Sequence, residues 1–203
     1  AHRIEVNLER WRWLPQDLGE RHVRVNIAGF TLEVVEADTV VAVHRVVVGR
    51  DYRRTPTFSD QITHLVLNPS WNVPRRIATT DLLPLIRKDR DYLTQRRFRV
   101  FRGEREIPAT EVQWDQLAST RFPYSLRQDP GPSNAMGQVK FMFPNAYQVY
   151  LHDTPDRELF DESSRGFSSG CIRVERALAL AERLYPGNPH AAVHRLRRRP
   201  PGR

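Results

Sequence analysis

Cys171 is the one cysteine among 203 residues and lies in Ser168-Ser169-Gly170-Cys171-Ile172-Arg173, nineteen residues after His152 of Tyr150-Leu151-His152-Asp153. A thiol preceded by an imidazole is the residue set of a nucleophile and its base. The small serines and the glycine ahead of the thiol let a ligand come close. They also leave the backbone N–H groups of Ser169, Gly170 and Cys171 to stabilise the oxyanion of an acyl-transfer step. A single cysteine excludes an internal disulfide and gives zinc no Cys-x-x-Cys pair, so neither a metal nor a cofactor is expected.

Each residue also has a plainer reading. A free cysteine most often behaves as a small buried hydrophobe, and a histidine at a strand end is commonly a surface or satisfied polar group. The Ser-Ser-Gly context weighs against the first, because a core cysteine sits within regular apolar periodicity. The segment Val174 to Leu184 reads as a helix with Val174, Leu178, Ala181 and Leu184 along one face, placing Cys171 just before its first turn. A helix N-terminus and a nearby imidazolium both favour thiolate. Lowering a thiol pKa from about 8.5 by about two units is worth roughly 2.7 kcal/mol.

The elements that must position these residues are mainly strands. Arg21 to Ile27, Phe30 to Glu36 and Thr39 to Val48 carry strand patterns, with Glu36-Ala37-Asp38 as a hairpin loop. Ile62 to Leu67 follows as another. Residues 68–137 then interrupt the sheet. Pro69, Pro74 and Pro84 break the pattern, helices are expected around Asp81 to Lys88 and Asp89 to Gln95, and Phe98 to Phe101 with Arg105 to Ile107 form a hairpin at Gly103. The segment Pro123 to Gly137 is rich in turn residues. Strand patterning resumes at Gln138 to Phe143 and at Tyr147 to His152. In the latter, alternation groups Tyr147, Val149 and Leu151 on a core face and turns Gln148, Tyr150 and His152 toward a cleft. Glu158 to Arg165 reads as a short helix leading back to the thiol. The expected fold class is mainly β with α insertions, in one domain over 1–203, with 68–137 as a candidate lid and 187–203 as a basic tail.

The formal net charge of +8 comes from 32 basic and 24 acidic residues, and all basic residues but Lys88 and Lys140 are arginine. Nucleic acid is the obvious partner of such a chain, but the arginines are scattered among acidic residues except in the tail, so none is expected. A basic face would suit a carboxylate-rich polymer equally well. No stretch approaches the eighteen apolar residues of a membrane span, and the first residues carry no signal-peptide apolar region. The chain is expected to be soluble.

His152 and the run from Ser168 to Arg173 resemble the signature of YkuD-type L,D-transpeptidases, in which a histidine is followed at this interval by Ser/Thr-x-Gly-Cys. Asn7 to Trp13, Val25 to Ile27, Asn68 to Pro74, Gly131 to Ala135 and Val139 to Asn145 resemble the larger periplasmic, YcbB-like branch, and the likeness covers roughly residues 5 to 186. Many members carry a second histidine before the motif glycine, where this chain has Ser169. The resemblance implies a YkuD-like β-sandwich, a place in the cell envelope with the targeting segment absent from this chain, and peptidoglycan stem peptides as partners. It implies that Cys171 carries the acyl group as a thioester from a tetrapeptide donor and that an amine on a second stem completes a 3→3 cross-link. It further implies catalytic roles for His152, Asp153 (whose backbone carbonyl orients the imidazole), Ser169 and Gly170, and substrate contacts from Arg173, Ser168, Tyr150, Trp71 and Asn134. An L,D-carboxypeptidase with water as acceptor and a non-catalytic, arginine-rich module binding cell-wall polyanions are the alternatives.

Overall fold

The computed structural model describes residues 2–12, 15 and 17–185. The expected basic tail and Trp13 lie outside these residues. Twelve strands are described: β1 Arg21–Asn26, β2 Thr31–Glu36, β3 Thr39–Gly49, β4 His64–Leu67, β5 Trp71–Asn72, β6 Phe98–Arg102, β7 Arg105–Ile107, β8 Ser125–Gln128, β9 Val139–Met142, β10 Leu151–His152, β11 Gly166–Ser168 and β12 Ile172–Val174. The helices are α1 His2–Arg12, α2 Arg75–Ile77, α3 Leu83–Lys88, α4 Tyr92–Gln95 and α5 Ala177–Leu184. Eight strands form one sheet in the order β1-β2-β3-β12-β10-β9-β4, with β11 beside β3, and four form a second in the order β5-β8-β6-β7. The expected fold class, mainly β with α insertions, is what the chain adopts.

The contacts of the chain divide it into two compact units. The first comprises Ala1–His64, Phe141–Leu151 and Arg157–Arg176. Its ladder begins where the sequence places it, with β1 antiparallel to β2 and β2 to β3. Ala37 and Asp38 join β2 to β3 with φ of 45° and 59°. Two positive φ values make the two-residue turn whose twist matches the flanking strands. The central strand β3 is apolar along most of its length; its start leaves Val40 and Val43 exposed, and its second half (His44, Val46, Val47 and Val48) is buried. Around it the core gathers Leu32, Val34, Phe141, Val149, Phe160 and Val174.

The second unit comprises Leu65–Lys140, His152–Asp156 and Ala177–Arg203, and so contains the whole expected lid. Residues 68–137 hold their own four-stranded sheet and an apolar core in which Leu83, Ile86, Leu93, Val100, Trp114, Phe122 and Leu126 are buried. The sheet is larger than the single hairpin expected, because Ser125–Gln128 pairs with Phe98–Phe101 from within a stretch that reads as turn-rich. The expected helix from Asp81 to Lys88 is the later part of a longer run. It begins at Arg75 and passes through a π-helical turn, Ala78–Leu82, before α3. Pro84 explains the turn: it has no N–H to offer the carbonyl four residues back, and the Leu83 N–H bonds five residues back to Ala78 O.

Two further expectations near the thiol are corrected. The strand at Tyr147 to His152 shrinks to Leu151–His152, because Asn145 folds the chain into a loop. Its Nδ2 donates to Phe143 O and Val149 O, its Oδ1 accepts from the Tyr147 and Val149 N–H groups, and Gln148 takes a φ of 55°. Tyr147 is therefore exposed instead of facing the core. The final helix starts at Ala177 instead of Val174, since Val174 pairs with Val46 in β3 and Arg176 adopts a φ of 51°. Five residues then separate Cys171 from the helix in sequence, so the thiol does not directly precede its first turn. The expected helix at Glu158 to Arg165 is one 3-10 turn, Arg157–Phe160.

Candidate active site

In the first unit the loop that carries Cys171 is the three-residue connection Ser169, Gly170 and Cys171 between β11 and β12. Both flanking strands pair with β3, β11 parallel and β12 antiparallel, so the loop is fixed at its two ends by the centre of the sheet. Gly170 has a φ of 120°, a backbone conformation that a side chain disfavours. The Ser168 hydroxyl closes the turn: it accepts from Gly170 N–H at 3.0 Å and donates to Cys171 O at 2.5 Å. Gly170 N–H is therefore engaged and is not the spare oxyanion donor that the motif suggests. Ser168 itself is 4% exposed, and its hydroxyl is engaged within the loop.

Cys171 is half-buried, with Sγ 3.9 Å from the carbonyl oxygen of Gln148. Ile172 N–H donates to Tyr150 O at 2.9 Å, so the residue after the thiol is tied to the segment that leads into His152. The Tyr150 ring stands 5.8 Å from Phe143. Arg173 is half-buried on β12. Glu175, one possible partner for it, is bound instead by Arg45, whose Nη2 donates to Oε1 at 2.7 Å and Nε to Oε2 at 3.1 Å. These hydrogen bonds hold the Glu175 carboxyl below the usual carboxylate range, against the opposing effect of burial.

A second loop, residues 49–55, braces the first, and sequence reading missed it. Thr55 Oγ1 accepts from Gly49 N–H at 2.9 Å and donates to Gly170 O at 2.8 Å. The Arg53 guanidinium, 8% exposed, donates from Nη1 to Ser169 Oγ at 2.8 Å. A Cβ at Gly49 would stand 2.7 Å from Thr55 N, so only glycine lets the loop fold this tightly. The available signal was a glycine ending the apolar run of β3, followed by a polar loop. The partners lie 115 and 116 residues away in sequence, beyond the reach of any periodicity.

The second unit carries His152, which is 2% exposed, with Nδ1 2.5 Å from Asp153 O. A carbonyl only accepts, so Nδ1 bears the proton and a neutral imidazole keeps Nε2 as its acceptor. Asp153 is held by its own backbone and side chain: its N–H donates to Val139 O at 2.8 Å, and its Oδ2 accepts from Gln138 N–H at 2.8 Å. Asn134 shapes the turn before Gln138. It is fully buried, donating to Gln128 O and Asp129 O and accepting from Met136 N–H at 2.7 Å. Both ends of its amide are thus engaged within the turn.

Of the aromatics in 68–137, Trp114 and Phe122 are core residues, 3% and 1% exposed. Trp71 and Tyr124 are partly buried against that core, with the Trp71 ring 6.1 Å from Phe98. Among the described residues no cluster of His, Cys, Asp or Glu could hold a metal ion, and no helix is long and apolar enough to cross a membrane. His190 and His194 lie outside the described residues.

A family model of the YkuD L,D-transpeptidase catalytic domain matches residues 20–191. A Haemophilus influenzae protein named "Putative L,D-transpeptidase" is 35% identical over 186 residues, covering 91% of this chain and 37% of that protein. The chain thus spans little more than a third of that relative's length. With the motif cysteine on its braced loop and the histidine on its carbonyl-fixed tautomer, the chain belongs to the YkuD family of L,D-transpeptidase catalytic domains.

Proposed function

We propose that this domain forms 3→3 peptidoglycan cross-links, with Cys171 as nucleophile and His152 as its acid–base partner. The observation that carries the reading is the Nδ1 hydrogen bond of His152 to Asp153 O, which reserves Nε2 for a proton. Cys171 gives its proton to Nε2, and the thiolate attacks the carbonyl of the third residue of a donor tetrapeptide. The tetrahedral intermediate collapses with loss of D-alanine, whose amine takes the proton from His152, and a thioester remains. The side-chain amine of diaminopimelate on a second stem then attacks the thioester, forming the amide and returning the thiol. Of the three N–H groups considered for the oxyanion, Gly170's is engaged, which leaves those of Ser169 and Cys171 as candidates. Arg173 is the candidate for a substrate carboxylate, residues 68–137 for the element that favours an amine over water, and the periplasm for the place of action.

Incubation of the protein with purified disaccharide-tetrapeptide, followed by mass spectrometry, tests this. A cross-linked dimer that disappears in Cys171→Ala is the expected result. Tripeptide without dimer would assign the domain as an L,D-carboxypeptidase, and dimer formed by Cys171→Ala would overturn the mechanism. A covalent carbapenem adduct, lost in the same variant, would place the acyl group on Cys171.

A further inference from the structure

The residue before Gly170 is a serine, which brings no charge to the loop. A charged side chain of the first unit, Arg53, does make a hydrogen bond to this loop. It is placed there at a cost, since Arg53 is only 8% exposed and its Nε is fully buried, which takes water from the guanidinium. A neutral donor would hold Ser169 Oγ without that cost, so an arginine is the more expensive choice unless its charge or its rigid fork is used. Its position is also built and not accidental. Gly49 is the only residue type that lets loop 49–55 fold as it does, Arg53 N–H closes the turn on Arg50 O at 2.8 Å, and Thr55 anchors the same loop to Gly170 O.

We infer that Arg53 is a positioning residue for the nucleophile: through Ser169 it fixes the loop that presents Cys171, and it sets a permanent positive charge two residues from the thiol. The inference rests on the acyl-transfer reading for its effect on turnover, but not for its effect on the thiol. The other charged groups on the elements around the loop are Arg50, Asp51 and Arg54 in loop 49–55, Arg165 ahead of β11, and Arg173 and Glu175 at β12. Of these, Arg165 donates to Phe30 O and Val46 O, Arg54 to Asp51 O, and Glu175 is bound to Arg45.

Two readouts separate positioning from simple support of the fold: the rate of Cys171 alkylation by iodoacetamide at pH 7, and the split between kcat and KM for cross-linking. In Arg53→Gln, which keeps a donor but loses the charge, alkylation should slow by roughly 3- to 10-fold. Its kcat should fall about 10-fold or more, with KM within a factor of about two. Arg53→Lys should recover much of both. Unchanged alkylation and turnover in Arg53→Gln would overturn the inference. So would equal losses in the Gln and Lys variants that follow their melting temperatures. Should Arg53→Gln fail to fold, Ser169→Ala decides from the exposed side of the same bond: slower alkylation and turnover support the role, and parental values overturn it. A wild-type protein without cross-linking activity but with the alkylation difference intact would sink the proposed function and leave the role of Arg53 standing.

Discussion

The Asp153 carboxylate occupies the space that a side chain at Gly137 would need. A Cβ built on Gly137 would lie 2.5 Å from Asp153 Cγ, and the Gly137 φ of 61° is itself a conformation suited to glycine. Asp153 cannot retreat freely, because its Oδ2 is held by Gln138 N–H and its carbonyl holds His152 Nδ1. Gly137→Ala is therefore expected to lose about 1–2 kcal/mol from backbone conformation alone, and more from the contact. Its urea midpoint should fall, and cross-linking should fall further than stability predicts because the imidazole is displaced. A variant that unfolds at the parental urea concentration would show that the contact relaxes without consequence.

Thr55 is the joint between the two loops of the first unit. Thr55→Val keeps the shape but leaves Gly49 N–H and Gly170 O without their hydroxyl partner in a buried place. The expected loss is about 1–3 kcal/mol in chemical denaturation. Thr55→Ser should restore most of it, since the hydroxyl and not the methyl makes both bonds; equal stability of the valine and serine variants would refute the assignment.

Within 68–137 the aromatics divide by burial. Trp114, which also donates from Nε1 to Ala109 O at 2.9 Å, should cost about 3–5 kcal/mol as Trp114→Ala. The half-buried Trp71 should cost clearly less. Were Trp114 instead a groove residue, its alanine variant would raise KM while leaving the denaturation midpoint in place, an outcome that paired measurements would reveal.

Sequence and structure agree where the pattern is local. The β1–β3 meander, with its Ala37-Asp38 turn, and the Phe98 to Ile107 hairpin follow from alternation and turn residues. What alternation could not show is competition from side chains. Asn145 takes four backbone hydrogen bonds and dissolves the first half of an expected strand, while Val174 prefers the edge of β3 to a helix. The brace of Arg53 and Thr55 was illegible for a different reason. Neither residue has a local signature, and both act on a loop that only the tertiary fold brings to them.

The Arg45–Glu175 pair gives a pH dependence of defined sign. Hydrogen bonds from Arg45 lower the Glu175 pKa from its ordinary 4.5. A carboxylate held low in the folded state adds stability that is complete above its unfolded value and is lost as the pH falls through its folded value. The melting temperature of the parent should therefore exceed that of Glu175→Gln at pH 7, and the gap should begin to close below pH 4.5 and continue closing as the medium becomes more acidic. A gap as wide at pH 3 as at pH 7 would mean that packing, and not the charge, is what Glu175 contributes.

His152 is open to a sharper test than simple deletion, because its two ring nitrogens have different tasks. In His152→Asn the amide nitrogen can take the place of Nδ1 and donate to Asp153 O, so the hydrogen bond that orients the side chain is kept. Nothing in asparagine replaces Nε2 as a base. Stability should then change little, while cross-linking should fall by about 10²–10⁴-fold, the range over which a positioned acid–base group contributes. His152→Gln carries its amide nearer to Nε2 and gives up the bond to Asp153 O; it too should be inactive, and less stable than the asparagine variant. If His152→Asn instead retained most of the activity, the histidine would be a buried structural residue, and the proton accepted from Cys171 would have to go to another group.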